Sequence, residues 1–173
     1  MSRKIIISVI VLECIVFCSI ITGCGNSPES QVRDVAENYL KYMMQACEGD
    51  MDALDKSYPL FTPEIQAKLN EMKIRSGMAT REKENRDEVK KQFKDKVKMM
   101  DQQMQMRYGF ELKDVLKDST IENIKIQGDT ATLVIHCNSK VNVEAAGLNR
   151  NNGMRLKNIN GTWYIEHVEG SFF

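Results

Sequence analysis

Apolar and polar positions follow three successive patterns along the chain. From Ile5 to Ile21 the residues are apolar apart from Ser8, Glu13, Cys14, Cys18 and Ser19. From Val32 the spacing turns helical. Val32, Val35, Ala36, Tyr39, Leu40, Met43, Ala46 and Cys47 recur at steps of three and four, one stripe facing a core. Ser27-Pro28 or Ser30 supplies the cap at its start, and Gly49 suits its end. Asp50 caps a short second helix through about Asp55, with Met51 and Leu54 inward. Thr62-Pro63-Glu64 opens a third, with Ile65, Leu69 and Met72 inward, fading at Ser76-Gly77. The longest helix is predicted over 80–107. Its first turns are charged, and Val89, Phe93, Val97, Met100 and Met104 then mark a narrow stripe.

The period changes to two after Leu116. Ile121 to Gln127 reads as a strand, Gly128-Asp129 as a turn, and Thr130 to about Ala145 as a long strand. In it Leu133, Ile135 and Cys137 alternate with Thr132, Val134 and His136. Gly147 to Gly153 is a polar loop. Met154–Ile159 and Thr162–Val168 are then joined by Asn160-Gly161, the strongest short hairpin signal. Helices first and an antiparallel meander afterwards predict an α+β domain: N-terminal helices on a sheet of about four strands.

The leading segment has a different character. Met1-Ser2-Arg3-Lys4 is a short positive start, the apolar run follows, and polarity returns at Gly25-Asn26-Ser27-Pro28. This is the layout of a secretory signal. Seventeen residues at 1.5 Å rise reach about 25 Å, short of the roughly 30 Å hydrocarbon core. Glu13 in mid-run costs about 2.5–3.5 kcal/mol on insertion scales. A permanent membrane span is therefore disfavoured. Ile21-Thr22-Gly23-Cys24 resembles the lipobox of bacterial lipoproteins: a branched apolar residue, two small ones, then the cysteine. The resemblance implies cleavage between Gly23 and Cys24, a diacylglyceryl thioether on Cys24, and palmitate-type acyl chains as the membrane anchor. Two or three acyl chains anchor stably where one does not. The expected location is the cell membrane or outer membrane, with the domain outside the cytoplasm. The expected organisation is a signal peptide over 1–23, a tether over 24–30, and a single domain over 31–173.

Charge then narrows the partners. The 173 residues carry 24 basic and 24 acidic side chains. Losing Arg3, Lys4 and Glu13 with residues 1–23 leaves 22 basic and 23 acidic groups. A near-neutral chain gives no basic face for nucleic acid and no polybasic attraction to anionic lipid. The charged stretch Arg81–Lys98 mixes both signs and reads as a solvated face rather than a docking surface. Of the five cysteines, Cys14 and Cys18 depart with the leader and Cys24 is acylated, leaving Cys47 and Cys137. These are a candidate disulfide in an oxidising envelope; two buried free thiols are the favoured alternative.

A second resemblance lies in the folded part. The first helix ends in Cys47-Glu48-Gly49-Asp50. Later come Gln127-Gly128-Asp129-Thr130-Ala131-Thr132-Leu133-Val134 and the closing Leu156-Lys157-Asn158-Ile159-Asn160-Gly161-Thr162-Trp163-Tyr164-Ile165. Together they resemble the nuclear-transport-factor-2-like (cystatin-like) superfamily, in which many small bacterial lipoproteins of unknown function fall. The likeness covers roughly 32–55 and 120–168. It implies a strongly curved sheet wrapped round the first helix as a cone with an internal pocket, and makes the helical stretch of about 63–108 a long insertion. On that geometry Tyr39, Met43 and Trp163 are candidate pocket liners, and Trp163 also pins the hairpin to the core. Phe172 and Phe173 are expected to dock back on the domain.

No catalytic constellation stands out. His136 and His167 both fall on strands, His136 opposite the Leu133/Ile135 face and His167 in alternation with Trp163 and Ile165. No carboxylate sits at a spacing that makes either a base or a metal ligand. Met99, Met100, Met104 and Met106 are soft enough for Cu(I), yet Met100 and Met104 continue an apolar stripe and read as packing. No cofactor or metal is expected. The leading expectation is a non-enzymatic, membrane-anchored binding module for a small apolar ligand or an envelope protein. An envelope enzyme of isomerase, dehydratase or hydrolase type using the cone pocket is the alternative. A structural or assembly lipoprotein docking through its charged helix is the third.

Overall fold

The computed structural model describes residues 27–138 and 140–170. The leader, the Gly23-Cys24 cleavage and acylation position, and the docking of Phe172 and Phe173 lie outside the described residues.

Helix α1 (Pro28–Cys47) starts where the Ser27 side chain accepts the Ser30 backbone N–H at 3.2 Å. It therefore begins inside the stretch read as tether. Helix α2 (Met51–Ser57) is capped by Asp50, whose carboxylate accepts from the Asp52 N–H at 3.0 Å. A single 3-10 turn (Tyr58–Leu60) leads to helix α3 (Pro63–Arg75), capped by Thr62. Then come α4 (Met78–Glu84), α5 (Arg86–Tyr108) and α6 (Leu112–Leu116). Strands β1 (Thr120–Gln127), β2 (Thr130–His136), β3 (Asn151–Ile159) and β4 (Thr162–Val168) form one antiparallel sheet in the order β1-β2-β3-β4. The chain is thus α+β, six α-helices among the described residues packed with a four-stranded meander.

The core sits between α1 and one face of the sheet. Val32, Ala36, Tyr39, Met43 and Cys47 of α1 pack on Ala131, Leu133 and Ile135 of β2, Met154 and Leu156 of β3, and Trp163 and Ile165 of β4. The register sets Ala131 opposite Leu156 and Leu156 opposite Ile165, so three strands contribute one apolar row. Bulges between Glu122 and Lys125 and between Arg155 and Leu156 bend the outer strands. At the hairpin tip Asn160 and Gly161 both take positive φ, 54° and 88°, the conformation a type I′ turn requires. A second, smaller cluster of Phe110, Val115, Cys137 and Val143 lies under the loop that follows β2.

Three predicted elements differ. The helix expected over 80–107 is two helices, broken at Asn85, whose side chain leaves the helical path to cap α5 by accepting the Glu88 N–H at 3.2 Å. The long strand expected to run to Ala145 stops at His136. Cys137 still pairs with Arg150 through its N–H, but the chain then turns through a 3-10 segment at Glu144–Ala146 and buries Val143 below it. The loop expected over 147–153 yields its last residues to β3, which begins at Asn151.

Candidate functional site

Helices α3, α4 and α5 cover the stretch read as an insertion. No residue of α3 or α4 is buried, and only Val89 and Val97 are buried on α5. The start of this stretch is tied to the sheet. The Thr62 N–H donates to the Ile165 carbonyl at 2.9 Å, and Phe61 makes a parallel bridge to Ile165, tying the chain to β4. The Tyr58 hydroxyl donates to the Gln66 carbonyl at 2.9 Å, and the Gln66 side-chain amide donates to the Phe61 carbonyl at 2.8 Å. From there α3 projects its stripe of Ile65, Leu69 and Met72 toward Phe93 of α5 without closing the gap.

The gap is a cavity of about 800 Å³. Its wall is built from Ile65, Leu69 and Met72 of α3, Met78 of α4, and Val89 and Phe93 of α5. Tyr39 and Met43 of α1, Leu54 of α2 and Phe61 complete it, with Val168 and Gly170 at the end of β4. Tyr39 meets Phe61 edge-on, with ring centroids 6.0 Å apart and an interplanar angle of 89°. Burial pushes the Tyr39 phenol up to about 12, with the neighbouring Cys47 thiol adding to the shift. Leu69 and Phe93 are half-buried, whereas Met72 is 58 % exposed, as expected of a wall with an open side.

A chain of ion pairs frames the cavity. Arg86, at the start of α5, bonds to both Asp52 and Asp55 of α2, and Lys90 reaches Asp52 at 2.6 Å. Lys73 of α3 lies 3.3 Å from Asp55 and 3.4 Å from Glu82 of α4. Hydrogen bonds from Lys90 and then Arg86 pull the Asp52 carboxyl down to about 2. Burial by itself would raise Asp55, but the Arg86 and Lys73 contacts outweigh it and hold that carboxyl below its usual range. Part of the charged run read as a solvated face therefore ties α5 to α2. The signal was in the spacing: Asp52 and Asp55 sit three apart, Arg86 and Lys90 four apart, each pair on one helix face.

The other predicted residues fall as follows. Tyr39 and Met43 line the cavity, while Trp163 is buried in the main core and does not. The cavity thus lies between the insertion and the domain, not around Trp163. Cys47 and Cys137 are both buried free thiols in separate clusters, so the candidate disulfide is not formed. The Cys137 thiol donates to the Val115 carbonyl at 2.6 Å. Burial, then Asp101 and Glu48, push Cys47 up to about 12, which keeps it a thiol near neutral pH. His136 sits on the outer face with Nδ1 2.6 Å from Asn151 Oδ1. His167 does not continue the Trp163/Ile165 face. The bulge at Arg155/Leu156 shifts the register, so His167 pairs with Arg155 and is exposed at the cavity mouth, and Val168 turns inward instead. Among the described residues no group of three or more His, Cys, Asp or Glu is placed to hold a metal, and no helix is long and apolar enough to cross a membrane.

No protein-family model, curated protein or solved structure matches this chain.

Proposed function

We propose that this chain is a lipid-anchored protein of the bacterial cell envelope, non-enzymatic, that holds a small apolar ligand between its helical insertion and the end of β4. The observation that carries the ligand reading is the 800 Å³ cavity with its wall of aliphatic, aromatic and thioether side chains. Small-molecule sites have this size and composition, about 300–1,000 Å³ and mostly apolar. Methionines suit such a wall because an unbranched thioether adapts to irregular shapes. The carboxylates at the cavity, Asp55, Glu82 and Glu166, are each held by a cation, which fits a frame better than a set of bases. Anchoring rests on Ile21-Thr22-Gly23-Cys24 and the leader before it, with acyl chains on Cys24 as the grip on the bilayer. Assignment to the nuclear-transport-factor-2-like superfamily belongs to the same proposal; a long first helix against a four-stranded meander with two bulges supports it.

Two measurements test it. Cells fed labelled palmitate incorporate label into the wild-type chain and not into Cys24→Ala; label absent from both removes the anchor. In thermal melts across a panel of lipids and apolar metabolites, at least one compound raises the melting temperature of the wild type. A flat response across the panel removes the ligand.

A further inference from the structure

Among the described residues, two cations at this cavity have no acidic partner. The acids lining it are engaged: Asp55 with Arg86 and Lys73, Glu82 with Lys73, and Glu166 with Arg155 at 2.6 Å. Arg81 of α4 and Lys96 of α5 also line it, and among the described residues neither forms an ion pair. Both are exposed, so each head group is in water while the cavity beside it is apolar. Lys96 shares its helix face with Val89, Gln92 and Phe93, which places a positive charge beside the apolar residues of that face. An occupant complementary to this arrangement has an apolar body and an anionic end.

With about 30 Å³ for each heavy atom, the share one water takes in the liquid, a chain of sixteen carbons needs about 480 Å³. One chain with its head fits within the 800 Å³ cavity. Resting on the apolar-ligand reading above, we propose that the ligand is a long-chain carboxylate. Its chain lies along Leu69, Met72 and Phe93, and its carboxylate is neutralised by Arg81 and Lys96. Two exposed cation–carboxylate contacts give a preference of about fivefold over a neutral head group, reduced by added salt.

The test uses the purified full chain in nanodiscs of zwitterionic lipid and two photoreactive probes, a diazirine-bearing hexadecanoic acid and the matching alcohol. Mass spectrometry locates the crosslinks. The acid is expected to label α3 and α5 at Leu69 and Phe93 about fivefold more than the alcohol. Arg81→Gln with Lys96→Gln lowers acid labelling to the level of the alcohol and leaves alcohol labelling unchanged, which also shows that the cavity persists in that variant. Lys91→Gln, outside the cavity, changes neither. Equal labelling by both probes, insensitive to the double substitution, overturns the carboxylate assignment and leaves the apolar site standing. Absence of cavity labelling by either probe overturns both. Labelling that appears only once Phe172 and Phe173 are replaced by Ser identifies those residues as the occupant and overturns the proposal.

Discussion

Leu156 and Leu69 are the same residue type in opposite situations, and truncating each to Ala separates the core from the cavity wall. Leu156 is fully buried, with Ala131 on one side and Ile165 on the other in register, and α1 lies over the row. Backbone ladders fix both neighbouring strands, so the space left by three carbons cannot close. Leu→Ala at such sites costs about 2–5 kcal/mol, and poor collapse puts this one at about 4 kcal/mol. Leu69 is half-buried on a wall that already borders a cavity, so truncation creates no new enclosed void. Only part of the transfer free energy of a leucine, about 1.5–3 kcal/mol in full, is then lost, and the cost is about 1 kcal/mol. Urea unfolding followed by far-ultraviolet circular dichroism measures both. A large fall in midpoint is expected for Leu156→Ala and a small one for Leu69→Ala. Equal destabilisation by the two substitutions would refute this, because α3 would then be packed as tightly as the sheet.

Further outcomes are expected. Cys47 and Cys137 stay unmodified by a thiol reagent at pH 8 in the folded protein, and both react in denaturant without reductant; a pair that needs reductant first would mean a disulfide. The folded-state pKa values of Tyr39 and Cys47 lie above their ordinary values of 10 and 9, so the stability they contribute is complete below pH 9 and lost as pH rises toward 12. Tyr39→Phe should flatten part of that alkaline decline, by about 1 kcal/mol, in urea midpoints taken at pH 8 and pH 11. Asp52 and Asp55 are depressed, so their contribution is complete above the ordinary carboxylate value near 3.8 and is lost as pH falls through their lowered values, about 2 for Asp52. Arg86→Gln should weaken that acid dependence in the same assay. Gly161→Ala forces a side chain into φ 88° at the hairpin tip and should cost about 1–2 kcal/mol in thermal or urea unfolding.

Much of the fold is visible in the spacing of a few residues, and the failures share a cause. The α1 stripe and the Asn160-Gly161 hairpin are local patterns, and local patterns decide them. Asn85 is also local, but inside a run of charges its capping role competes with a continuous helical reading, and only the positioned Glu88 N–H favours the break. The end of β2 is different. Cys137 continues the alternation perfectly well, and what stops the strand is the second cluster of Phe110, Val115 and Val143, assembled from positions far apart in sequence. His167 leaves the face that alternation assigns it because a bulge changes register without any mark in the sequence. The cavity was the least legible feature. The stripe Ile65, Leu69, Met72 reads as a face to be buried, and nothing along the chain says that the facing helix stands off from it. Arg81 and Lys96 likewise look like any other solvated cations until the neighbouring acids are seen to be engaged elsewhere.

Native mass spectrometry of the full chain released from nanodiscs addresses the ligand most directly. The wild type should carry an adduct beyond the protein and its acyl anchor, and Leu69→Asp, which sets a carboxylate in the apolar wall, should lose that adduct while keeping the anchor. A wild type free of adduct in every preparation, or an adduct that survives Leu69→Asp, would contradict the account.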